Sequence, residues 1–287
     1  MKRIGLILAL FALFTAFKSD KPAYRLFTAQ GKKIKYQKML NKLQDADVVF
    51  FGELHNNPIS HWFELEITKD LYRLHKGKIV LGAEMFEKDN QLILNEYLKN
   101  EISKSSFEKE ARLWPNYKTD YKPLVEFAHN NHLNFVATNV PRRYASMVYK
   151  NGFASLDSLS EEAKSYMAPL PIPYDPALKC YQDMLEQMKA MGHNNPHLPK
   201  AQALKDATMA YSIAAVAGKD NLFIHYNGSY HSDDYQGIIW YLNKYKPGLK
   251  ILTITSVEQA SMDSLSKENL NKANFILTIP NDMTKTH

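Results

Sequence analysis

Five short runs of this chain are apolar on both faces of an extended strand. They are Val48-Val49-Phe50-Phe51, Ile79-Val80-Leu81, Phe135-Val136-Ala137, Leu222-Phe223-Ile224 and Ile251-Leu252-Thr253-Ile254. A strand that is apolar on both faces must be covered on both faces, which is the condition of a parallel sheet packed between helices. The stretches between the runs have helical spacing, at residues 62–74, 124–131, 201–217 and 235–245. Strand and helix alternating in this way predict an α/β fold, a mostly parallel sheet flanked by helices.

Two intervals are too long for a minimal crossover, 89–118 and 152–198. The second carries Pro169, Pro171, Pro173 and Pro176 ahead of a helical stretch at 178–191. It is expected to form an inserted helical subdomain, about 152–200, within a single domain over 20–287. Residues 24–27 and 34–36 flank Gln30-Gly31-Lys32 and predict a small hairpin, and Phe275-Ile276-Leu277 predicts a last strand.

The N-terminus has its own pattern. Lys2 and Arg3 precede an uncharged apolar run, Ile4 to Phe17. That run is short for a membrane span and suits an export signal, with a buried N-terminal helix as the structural alternative. No small-x-small cleavage site follows it, so residues 1–19 are expected to be a signal peptide or an N-terminal anchor. The mature chain would then be exported, periplasmic or membrane-associated through that segment. Removing Lys2, Arg3 and Lys18, with no acid among them, lowers the net charge from +6 to +3. No dense Lys/Arg patch interleaved with aromatics remains, so nucleic acid is not an expected partner. Cys180 is the only cysteine, which excludes internal disulfides, cysteine metal clusters and covalent c-type haem attachment.

Parallel sheets build sites beyond the carboxyl ends of their strands. Two of the predicted ends carry a Gly-x-x-His motif, Gly52-Glu53-Leu54-His55 and Gly228-Ser229-Tyr230-His231. A third carries Gly82 and Glu84. Glu53, His55, Glu84 and His231 form a plausible ligand set for zinc, manganese or iron(II), and a plausible catalytic set for a metal-dependent hydrolase. A lone histidine at a strand end is more often structural, and it is the recurrence of the motif beside two glutamates that points to function. His61 either joins this group or faces solvent at a helix start.

A second group lies in the 152–200 interval. Tyr181, Met184 and Met188 share one helical face, with Tyr174, His193 and His197 nearby. Such a stripe serves as core packing or as the seat of a flat apolar ligand such as haem, for which tyrosine can be an axial ligand. Histidine or lysine nearby could hold the propionates.

With these residues in view, the chain resembles the ChaN-like haem-binding uptake family, in the superfamily that includes the Tiki metalloproteases and erythromycin esterases. The matching stretches are Phe51-Gly52-Glu53-Leu54-His55, Gly82-Ala83-Glu84-Met85-Phe86-Glu87, Trp114-Pro115-Asn116-Tyr117, Asn139-Val140-Pro141-Arg142, the run from Ala201 to Ala210, and Asn227-Gly228-Ser229-Tyr230-His231. The resemblance implies export, haem as cofactor and a part in haem or iron acquisition. The partners it implies are haem, a second copy of the chain and outer-membrane uptake machinery. It also implies a haem-ligating tyrosine in the helical part, assigned first to Tyr181 and second to Tyr174, with His193 beside them. The competing expectation remains the hydrolase built on Glu53, His55, Glu84 and His231.

Overall fold

The computed structural model describes residues 21–218 and 220–287. The N-terminal segment 1–19 lies outside the described residues. Among those described, seven strands form one sheet in the order β1-β7-β6-β2-β5-β3-β4. They are β1 (Arg25–Thr28), β2 (Val48–Glu53), β3 (Ile79–Glu87), β4 (Phe135–Asn139), β5 (Leu222–Gly228), β6 (Ile251–Gln259) and β7 (Phe275–Pro280). Every pairing is parallel except β1 with β7. The α/β fold is therefore the one expected. The expected hairpin forms in minimal shape, with an antiparallel Phe27–Lys33 bridge and the Ile34 N–H donating to the Leu26 carbonyl, and β1 also pairs with the far end of the chain.

Helices cover both faces. One face carries α1 (Tyr36–Leu43), α2 (Pro58–Leu74), α3 (Gln91–Leu98), α4 (Lys104–Glu110) and α5 (Lys122–Asn130). The other carries α6 (Arg142–Asn151), α9 (Leu198–Val216) and α10 (Ile238–Tyr245). The β2 side chains divide between them. Val49 and Phe51 enter the first core with Phe63, Ile67 and Leu71, while Val48 and Phe50 enter the second with Leu204, Ala207 and Ile213. That alternation is the period of a strand, and burial of all six β2 residues explains why its sequence shows no polar face.

Strands run past the apolar runs that predict them. β2 continues through Gly52 and Glu53, β3 through Glu84 to Glu87, and β5 through His225 to Gly228. Of these polar residues Glu53, Glu84, His225 and Asn227 are buried and paired with groups from other elements, which local sequence cannot indicate. The 152–200 interval is more irregular than a helical subdomain, holding only a 3₁₀ turn (Phe153–Leu156), α7 (Glu161–Ser165) and α8 (Lys179–Ala190). In α8 only Tyr181 is buried. Met184 and Met188 stay partly exposed, so the Met stripe is not core. No helix among the described residues is long and apolar enough to cross a membrane.

Candidate functional site

The ends of β2, β5, β3 and β4 open into a cleft of about 910 Å³. Glu53, His55, Glu84 and His231 all line it, so the four residues at the motif-bearing strand ends do converge.

The register explains how. Gly52 pairs with Asn227 and Glu53 with Gly228 across the β2–β5 ladder, which sets the two motifs side by side. Their glycines allow the approach. A Cβ on Gly228 would lie 2.7 Å from the His55 ring, and one on Gly52 would lie 2.9 Å from the Ser229 Cα. Neither glycine has positive φ. They serve close packing of one motif on the other, rather than a sharp turn.

Glu84 stands at a bulge. The β3–β4 register shifts between Ala83 and Glu87, and Glu84 lies within that irregular stretch. Its Oε2 accepts the Gly228 N–H at 2.9 Å, and its Oε1 meets His231 Nε2 at 3.1 Å. The other ring nitrogen of His231 bonds to Asp206, buried on α9. Burial alone would lower the His231 pKa, but Glu84 and Asp206 outweigh it and push it up to about 10. Glu84 is held well below the usual carboxyl range: burial would raise it, and His231, His55 and Lys205 override that. His231 is thus an imidazolium between two carboxylates. Both of its ring nitrogens face carboxylates, and its place here is that of their counter-ion.

The other half is built differently. Glu53 Oε1 accepts from the Tyr121 hydroxyl and from His55 Nδ1, both at 2.7 Å. Burial would lower the His55 pKa, but Glu53 and Glu84 leave it raised. Its imidazole is 43% exposed and packs edge-on against Trp114, 5.1 Å between centroids. His61 does not face solvent. It lies in the first turn of α2, which Asn57 caps by accepting from the Ile59 and Ser60 N–H groups. There it is buried beside Glu53, Glu64 and Asp120. Burial, then the Glu53 charge, push the Glu64 carboxyl well above the usual range.

The tyrosines of the 152–200 interval stand elsewhere. Tyr181 has no exposure, and its hydroxyl donates to Asp206 Oδ2 at 3.2 Å. Reaching a ligand would cost it that bond and its burial, so it supports the His231 side instead. Tyr174 stacks on Tyr181 at 5.6 Å between centroids with its ring partly exposed, and His193 is exposed in the loop after α8. None of the three lines the cleft.

Sequence reading passed over Asp206, Tyr121, Glu64, Asp120 and the cations Arg112, Arg143 and Lys205 at the cleft. Two signals were available. Asp206 is an acid inside the Ala-rich run of α9, and Asn57, His61, Glu64 and Thr68 recur at helical spacing on a buried face of α2.

A model of the haem-binding uptake family of the Tiki superfamily, ChaN, matches residues 39–242. The chain belongs to the ChaN haem-binding uptake family. Among solved structures it is similar to ChaN of Campylobacter jejuni, described with cofacial haem binding, at TM-score 0.66 and 17% identity, covering 90% of this chain and 97% of that one. A Bacillus cereus protein (TM-score 0.49, 12% identity, 85% and 90% covered) and an erythromycin esterase mutant in its open conformation (0.47, 12%, 90% and 83%) are more distant and do not inform the site. No curated protein matches.

The cleft chemistry fits the ligand that ChaN membership implies. A flat, apolar dianion needs apolar walls and rim cations. Leu54, Leu113, Trp114 and Val140 supply the first, and Arg142 and Lys205 the second, while Arg112 and Arg143 are already paired with Glu87 and Asp89.

Proposed function

We propose that this protein binds haem over the cleft, as an exported member of a haem or iron acquisition system. The observation that carries this reading is the pairing of apolar walls with a cationic rim in a cleft of about 910 Å³, in a chain of the ChaN family. Haem supplies an iron with an axial position and two propionates. Arg142 and Lys205, which line the cleft, suit the propionates by charge-assisted hydrogen bonds. Tyr230, in the cleft wall, is our candidate for the iron, with Tyr174, partly exposed outside the cleft, as its rival. Export through segment 1–19, a homodimer that shelters the flat ligand and an outer-membrane partner belong to the same proposal. The test is haemin titration of the purified protein, followed by its visible spectrum. Tyr230→Phe should abolish the tyrosinate spectrum and Tyr181→Phe should not. A wild-type protein that leaves the haemin spectrum unchanged refutes the reading.

His55 favours a second reading. Half-exposed at the cleft floor and held by a buried carboxylate, it has the geometry of a general acid or base. In that reading Glu53, His55, Glu84 and His231 serve hydrolysis. Hydrolysis of ester substrates by the wild type, lost in His55→Ala, would support it.

A further inference from the structure

Beneath the cleft floor, Glu53, His61, Glu64 and Asp120 are 1%, 6%, 0% and 3% exposed. Their ion pairs among the described residues are with histidines alone, with no lysine or arginine in contact. Three buried carboxyl groups gathered this way cannot all be ionised without a positive partner.

His61 shows where that partner belongs. Its Nε2 lies 3.1 Å from the His55 carbonyl oxygen, which can only accept, and 3.5 Å from Asp120 Oδ2. That contact fixes the ring proton on Nε2. With that proton on Nε2, Nδ1 is the nitrogen left to act as a ligand, and it faces Glu64 Oε2 at 3.2 Å and Glu53 Oε2 at 3.7 Å. Glu53 Oε2 and Glu64 Oε1 are also buried without any hydrogen-bond partner. Lone pairs from one imidazole and two carboxylates therefore converge on one point, with their ligand atoms all within 4.8 Å of one another.

We propose that Glu53 Oε2, His61 Nδ1 and a Glu64 carboxylate oxygen bind one divalent cation of the zinc or manganese class. Metal–ligand bonds of about 2.0–2.2 Å place ligand atoms roughly 3–3.6 Å apart, and His61 Nδ1 stands 3.2 Å from Glu64 Oε2 and 3.7 Å from Glu53 Oε2. One nitrogen with two carboxylate oxygens suits these ions. The supporting groups are in place: Tyr121 holds the other Glu53 oxygen, and Asn116 Nδ2 bridges the His55 carbonyl and Asp120. The set shares only Glu53 with the four cleft residues. Binding there ties the end of β2 to α2 and so fixes the backbone of His55.

The test uses the full chain, stripped of metal and then titrated with zinc or manganese alone. One ion per chain is expected, with a rise in melting temperature. Glu64→Gln and His61→Gln, their folding checked by circular dichroism, should weaken binding about 100-fold or more, since even an outer-shell partner is worth about 10–100-fold. Glu84→Gln should leave it nearly unchanged. If those variants do not fold, X-ray absorption at the zinc edge of the wild type decides. One imidazole per zinc supports the site, while two would place the ion at His55 and His231 and overturn it. No binding at all, in a protein whose haemin titration is judged separately, would mean that the carboxyls share a proton instead, and would also overturn it.

Discussion

The two sides of the cleft hold the same residue types and reach opposite electrostatic outcomes. On the β3–β5 side, His231 sits between Glu84 and Asp206 with both ring nitrogens engaged. On the β2–α2 side, Glu53, His61, Glu64 and Asp120 crowd together, and two carboxylate oxygens have no hydrogen-bond partner. A histidine between two acids can satisfy both nitrogens by taking up a proton. A histidine whose one nitrogen is already bonded to a carbonyl satisfies two further acids only with added positive charge. The first side is a closed structural unit, and the second has the chemistry of a receptor.

The comparison breaks most severely at His231. His231→Ala leaves Glu84 and Asp206 buried without their shared cation and should cost about 3–5 kcal/mol in denaturant unfolding. His55→Ala, at a half-exposed ring whose Glu53 partner keeps Tyr121, should cost only about 1 kcal/mol. Equal losses would erase the distinction between the sides.

The pH profile sharpens the same contrast. A raised folded pKa on His231 gives stability that is full below the unfolded value of about 6.5 and fades as pH rises through about 10. The depressed Glu84 carboxyl gives stability present above its unfolded value of about 4.3 and lost as pH falls further. Melting temperature should therefore decline from neutral pH toward 10, and His231→Ala should flatten that limb.

The motif glycines give the next effect. Gly52→Ala sets a methyl against the Ser229 backbone and should cost about 1–3 kcal/mol by overpacking. Gly228→Ala meets only the His55 ring, which can swing outward, so its cost should be smaller. Its signature would be spectroscopic: the His55 pKa should fall once the ring leaves Glu53, as an NMR titration can show. The smallest change is expected for metal-free Glu64→Gln. Its amide imitates the protonated acid, so stability should move by no more than about 1 kcal/mol.

Much of the fold was legible because burial on both faces of a strand leaves a plain mark in sequence. The runs at 48–51, 79–81 and 222–224 each became a central strand. The recurrence of Gly-x-x-His also located the cleft, since strand ends of one parallel sheet share an edge. The pairing within the site was not legible. Asp206 is 25 residues from His231 and Glu84 is 147, and nothing local marks them as partners. The same limit applies to Tyr181. At helical spacing with Met184 and Met188 it reads as a ligand stripe, yet it is the one buried residue of α8 and bonds to Asp206.

By itself, then, the sequence determined which segments must be strands, that both sheet faces are covered, and that two histidines and two glutamates stand at one edge. Those properties follow from apolar periodicity, which acts over a few residues. Only the tertiary structure decided which acids each histidine faces. Charge in a buried site depends on which acids lie within hydrogen-bond distance, and those acids arrive from β3, α2, α9 and the turn at Asp120, across chain separations that no local pattern records.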